Sequence, residues 1–105
     1  MFNSIKNLLG FGPKTDFKSL YENGAIVLDV RTIPEFINGN IPGSINIPLN
    51  DLPVKMRILK DKQQNIICCC ASGMRSGVAK KILQANGYTN VVNGGGYMKL
   101  LQKIS

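Results

Sequence analysis

The run Asn65–Cys70 (Asn-Ile-Ile-Cys-Cys-Cys) passes through Ala71-Ser72-Gly73-Met74-Arg75 into an amphipathic stretch, Ser76–Asn86, that is closed by Gly87. The first part has the length and apolar character of a buried strand, and the second has Val78, Ile82 and Leu83 at helical spacing as its expected buried stripe. A cysteine at the end of such a strand faces the first turn of the next helix. Unpaired N–H groups and the positive end of the macrodipole favour an anion there. A thiol so placed loses its proton easily, and the thiolate is the nucleophile. Cys70 is therefore the candidate for sulfur or phosphate-like chemistry.

The same alternation recurs along the chain. Residues 1–14 carry Phe2, Ile5, Leu8 and Leu9 before Gly10, Gly12 and Pro13, which reads as a short amphipathic or frayed segment preceding one domain over 15–105. A helix is expected from Thr15, capped by Thr15 or Asp16, with Phe17, Leu20 and Tyr21 on one face and Gly24 as its stop. Ala25–Val30 is a short apolar run of the kind covered on both faces, with Asp29 and Arg31 at its carboxyl end. A helical turn over Pro34–Asn38, a loop over Gly39–Gly43, a strand over Ser44–Ile47 and a weak helix over Leu52–Leu59 follow. Asn90–Asn93 closes the strand set. Gly94-Gly95-Gly96 reads as a flexible bend before a C-terminal helix that turns Tyr97, Leu100, Leu101 and Ile104 to the core. Short apolar strands alternating with helices predict an α/β fold, an open parallel sheet flanked by helices on both faces. Ligands of such sheets bind beyond the carboxyl ends of the strands, where Asp29, Arg31 and Cys70 all fall.

Composition narrows the chemistry. At 105 residues the chain suits one domain. Its three cysteines are consecutive and form no spaced disulfide framework, so a reducing, cytoplasmic location is expected. No apolar run approaches the roughly 18 residues of a membrane helix, and the N-terminus lacks a signal peptide's pattern. The absence of histidine removes the commonest general base and metal ligand. Neighbouring strand cysteines leave by opposite faces and cannot close round one zinc, so neither metal nor cofactor is expected. The formal charge of +7 draws anions at long range. The lysines are dispersed, without a basic-aromatic cluster, so nucleic acid is not expected, and small anionic substrates or an acidic protein partner suit the charge better.

The segments Asp29-Val30-Arg31, Glu35-Phe36 and Gly39-Asn40-Ile41-Pro42-Gly43-Ser44-Ile45-Asn46-Ile47-Pro48 resemble the first signature stretches of the rhodanese family of sulfurtransferases. Cys70-Ala71-Ser72-Gly73-Met74-Arg75-Ser76 resembles its active-site loop, and Gly87-Tyr88-Thr89-Asn90-Val91 with the later glycines resembles its ending. Asn40 departs from the pattern, since many members have histidine there. The resemblance implies that Cys70 attacks the outer sulfur of thiosulfate or another small anionic sulfane donor and keeps it as a persulfide. Cyanide, a low-molecular-weight thiol or a thioredoxin-like protein thiol then removes it. It also implies that the N–H groups of Ala71, Ser72, Gly73, Met74, Arg75 and Ser76 form an anion cradle, with Gly73 allowing the backbone to curl. Arg75 either adds positive charge there or pairs outward with a carboxylate. Asp29 and Arg31 are expected to tie the end of the first strand to the active-site loop.

The cysteine triplet leaves a second possibility. Counted from Cys69, the spacing to Arg75 is that of a protein tyrosine phosphatase loop; counted from Cys70, the loop is one residue shorter. Glycine three residues on, as such loops usually have, is Gly73 counted from Cys70, and the last residue of the strand is best placed to enter the cradle. A shorter loop suits a sulfane sulfur better than a phosphate ester, and no general acid for a phosphatase is evident. Cys68 and Cys69 are expected as small core residues. A non-catalytic rhodanese-like binding module and a phosphatase or arsenate-type reductase remain as the alternatives to a sulfurtransferase.

Overall fold

The computed structural model describes residues 14–105. The N-terminal segment therefore lies, save for Lys14, outside the described residues. Four parallel strands form one sheet in the order β2-β1-β3-β4: β1 (Ile26–Asp29), β2 (Ile45–Asn46), β3 (Ile66–Cys70) and β4 (Val91–Gly96). Helices α1 (Phe17–Glu22), α2 (Ile33–Ile37), α3 (Leu52–Lys55), α4 (Met74–Ala85) and α5 (Tyr97–Ile104) alternate with them, and single 3-10 turns flank α3. The open parallel α/β sheet expected from the alternation is the fold observed.

Strand parity builds two cores. Leu28, Val30, Ile66, Cys68, Cys70 and Val91 point to one face, where Ala79 and Leu83 of α4 and Leu52 of α3 cover them. Val27, Ile67 and Cys69 point to the other, under Leu100 and Ile104 of α5 and Phe17, Leu20 and Tyr21 of α1. Both faces are closed, so every residue of β3 is buried. Caps agree with local chemistry: Asp16 accepts the Ser19 N–H at 3.0 Å to open α1, and Thr32 and Glu35 form a capping box on α2.

Three expectations are corrected. Val78 is 48 % exposed, and α4 instead buries Ser76, Ala79 and Leu83, with Ile82 partly covered. The helix also starts earlier, at Met74. The start follows the left-handed Gly73 cap, and the rotation follows Ser76, whose hydroxyl turns in to Cys70 and Asn93 and so carries Val78 outward. The triple glycine is not a bend between elements but the last half of β4, paired with Cys69 and Cys70 after a register shift between Cys68 and Cys69. A bulge adds a residue on one strand and re-aims the backbone beyond it.

Candidate active site

Cys70 ends β3 on the α4 side of the sheet, and the chain turns sharply through Ala71-Ser72-Gly73 into α4. Gly73 caps that helix with φ +101°, and a Cβ there would also lie 3.2 Å from the Gly95 Cα. Only glycine meets both demands without strain. The turn folds the backbone over the sulfur. The Gly73 N–H donates to Cys70 Sγ at 2.9 Å, the Ser76 N–H at 3.4 Å, and the Ser76 hydroxyl lies 3.4 Å away. Burial pushes this thiol up, but hydrogen bonds from Ser76, Ser72 and Gly73 outweigh it, and the net shift is downward from 9.0. Cys68 and Cys69 have no such donors, and burial drives each to about 12. Among the three cysteines, then, only Cys70 sits where an anion is stabilised.

Arg75 makes no hydrogen bond to the sulfur. Its guanidinium grips the Glu35 carboxylate at 2.7 and 3.0 Å, which resolves its two sequence readings in favour of outward pairing. Asp29 and Arg31 form a buried pair, with Arg31 Nη2 2.7 Å from Asp29 Oδ2. The expected tie from this pair to the active-site loop is corrected. Arg31 instead donates to the carbonyls of Glu35 and Gly39 at 3.2 and 2.7 Å and stacks 3.7 Å from the Tyr97 ring centroid. It therefore anchors α2 and the loop after it, and reaches Arg75 only through Glu35. Asn40, where the family pattern often has histidine, donates to the Phe36 carbonyl at 2.9 Å and serves that same loop.

Ala71, Ser72, Gly96, Tyr97, Met98 and Lys99 line a cavity of about 470 Å³ beside the cysteine. Met74, which opens α4, stands 81 % exposed and is not part of that lining. Cys70 itself has no accessible surface. A reagent in the cavity is therefore separated from the sulfur by the Ala71–Gly73 turn, and that turn must shift before the sulfur is reached.

Sequence reasoning missed two contributors. Asn93 ends the strand expected over Asn90–Asn93, which carries no site residue in the sequence, yet its side chain meets Ser76 and Gly73. Gly96 belongs to the expected flexible bend, yet a Cβ there would sit 2.8 Å from the Ala71 carbonyl oxygen, so its bareness makes room for the turn. A polar residue and three glycines in a strand position were the available signals.

The family model for the rhodanese-like domain matches residues 14–103. The chain belongs to the rhodanese-like family. Thiosulfate sulfurtransferase PspE of Escherichia coli is 42 % identical over 72 residues, which are 66 % of this chain and 67 % of that protein. The human single-domain sulfurtransferase TSTD1 is 30 % identical with a TM-score of 0.68, over 83 % of this chain and 90 % of that one. The reduced Bacillus anthracis CoADR-RHD is 32 % identical with a TM-score of 0.73, covering 98 % of this chain but only 19 % of that much longer one. Among the described residues no helix is long and apolar enough to cross a membrane.

Proposed function

We propose that this rhodanese-like domain is a sulfurtransferase that carries sulfane sulfur as a persulfide on Cys70. The observation that carries the reading is the placement of one sulfur at the head of α4 under the Gly73 and Ser76 amides. Donors aimed at a sulfur stabilise its thiolate, and once the turn has shifted to admit the donor the same amides face the incoming anion. The thiolate attacks the outer sulfur of thiosulfate, the donor's S–S bond breaks with its electron pair on sulfite, and the sulfur remains on Cys70. A thiolate or cyanide acceptor then takes the outer sulfur and returns Cys70 as thiolate. The relatives' names, thiosulfate sulfurtransferase and single-domain sulfurtransferase, support this class of reaction. Arg75 is spent on Glu35, so the charge that draws the donor is the general excess of +7 together with Lys99 at the cavity. Ala71 and Ser72 supply the wall of the donor's approach.

The test is thiocyanate formation from thiosulfate and cyanide by the full chain, repeated with Cys70→Ser and Cys69→Ser. Activity is expected to vanish with the first change and survive the second. Turnover that persists in Cys70→Ser overturns the assignment. Hydrolysis of an aryl phosphate by the same samples would transfer the site to phosphate chemistry.

A further inference from the structure

Asn93 belongs to none of the motifs above, yet its side-chain amide lies against the reactive loop. Its Oδ1 is 2.7 Å from Ser76 Oγ and accepts the Gly95 N–H at 2.9 Å, while its Nδ2 donates to the Gly73 carbonyl at 3.1 Å. With the nitrogen facing a carbonyl and the oxygen facing an N–H, the network itself orients the amide. Ser76 is fully buried, so no water can partner its hydroxyl. That hydroxyl has one proton and three acceptors in reach: Asn93 Oδ1 at 2.7 Å, the Gly73 carbonyl at 3.1 Å and Cys70 Sγ at 3.4 Å. Asn93 is the nearest, and the Gly73 carbonyl already accepts the Gly77 N–H.

We propose that Asn93 is a positioning residue that competes with the Cys70 sulfur for the Ser76 proton, and thereby sets how readily the sulfur ionises and how far the site favours its sulfur-loaded form. With a neutral thiol, S–H donates to Ser76 Oγ and Ser76 O–H donates to Asn93 Oδ1, a chain in which every proton is used. Once the thiolate forms, two outcomes remain. Either the hydroxyl turns to sulfur and leaves two oxygens 2.7 Å apart with no proton between them, or it stays on Asn93 and leaves the sulfur to the backbone amides. Both oppose the anion on Sγ. Sulfur loading removes the conflict. Attack on thiosulfate joins Sγ to the outer sulfur, sulfite departs with the bonding pair, and the negative charge moves to the outer atom. Sγ is then neutral and the hydroxyl returns to Asn93. The loading step rests on the function proposed above, whereas the effect on ionisation does not.

The other titratable groups around the sulfur are Cys68 and Cys69 on β3, the mutually paired Asp29 and Arg31 at the end of β1, and Arg75 of α4, held by Glu35 of α2. Lys80 of α4 acts on Cys68, Tyr97 of α5 stacks on Arg31, and Lys99 of α5 lines the cavity. None of them contacts the Asn93 amide, and Asn93 is exposed, so it can be replaced without opening the core.

The experiment is the pH dependence of Cys70 alkylation by iodoacetamide in the full chain, with Asn93→Ala made alone and in a Ser76→Ala background. Alone, Asn93→Ala is expected to lower the midpoint, raising the thiolate fraction below it about three- to tenfold. In the Ser76→Ala background it should do nothing. A midpoint that stays or rises in Asn93→Ala, or an equal shift in both backgrounds, overturns the proposal. If Asn93→Ala fails to fold, Asn93→Asp decides: it keeps the acceptor, adds charge and raises the midpoint, and it must do so less when the Ser76 hydroxyl is gone. Equal rises overturn the proposal. The ratio of persulfide to free Cys70 at fixed thiosulfate and sulfite, read by mass, should fall about three- to tenfold in Asn93→Ala. An unaltered chain that never loads sulfur would count against the proposed function, with the alkylation comparison still deciding the role of Asn93.

Discussion

Glu35 and Arg75 stand forty positions apart and meet in a two-pronged ion pair, the Arg75 nitrogens 2.7 and 3.0 Å from the two carboxylate oxygens. The pair pins α2 to the first turn of α4, next to the loop that holds Cys70. Each side chain is about one-third exposed, at 34 % and 36 %, so water and salt weaken the pair while its two-pronged geometry commits the guanidinium to Glu35.

This tie should be sensitive to acid. The side-chain hydrogen bond from Arg75, followed by the Thr32 backbone and hydroxyl, lowers Glu35 from 4.5 to about 2. A carboxyl depressed by folding contributes stability above its unfolded value and loses it as pH falls through the folded one. Glu35→Gln should therefore melt below the unaltered chain at neutral pH, and the gap should close between 4.5 and about 2. A gap that stays constant over that window would show that the tie does not stabilise through this charge.

One cysteine of three should react at neutral pH. Cys70 is held below 9.0 by its hydrogen bonds, whereas burial places Cys68 and Cys69 at about 12. Brief alkylation of the folded chain, followed by peptide mass analysis, should label Cys70 alone. Equal labelling of the triplet would contradict the role given to the loop.

Access should depend on reagent size. Because Cys70 has no accessible surface beneath the Ala71–Gly73 turn, a methylthiolating reagent should outpace a bulky aromatic disulfide by far more than it does on a free thiol. Matching ratios for protein and free thiol would mean that the turn opens widely and often.

Gly96→Ala should disturb the loop without touching the sulfur. The new Cβ would sit 2.8 Å from the Ala71 carbonyl oxygen, a backbone atom that cannot swing aside cheaply. A loss of about 1–3 kcal/mol by denaturant unfolding is expected, with a higher alkylation midpoint for Cys70. A variant with unchanged stability and midpoint would show that β4 does not brace the turn.

The Asp29–Arg31 pair should be costly to break. Asp29 is 0 % and Arg31 3 % exposed, and Arg31 also holds two carbonyls. Asp29→Asn should destabilise by about 3–5 kcal/mol, because a buried guanidinium loses its counter-charge. A drop below about 1 kcal/mol, read by the same denaturant titration, would place the pair in effective contact with water.

The sequence by itself determined the α/β alternation, the parity that separates Cys69 from Cys68 and Cys70, and the cysteine that ends a strand before a helix. These are local properties: apolar runs of strand length, helical spacing and glycine stops act within a few residues. Only the tertiary structure decided where Arg75 points, that Gly94-Gly95-Gly96 completes β4, that Val78 faces water, and that Asn93 meets the Ser76 hydroxyl. Each of those depends on a partner distant in the chain, and the rotation of a helix or the shift of a bulge is settled by packing and by a buried hydroxyl's need for a partner, which no stretch of neighbouring residues encodes.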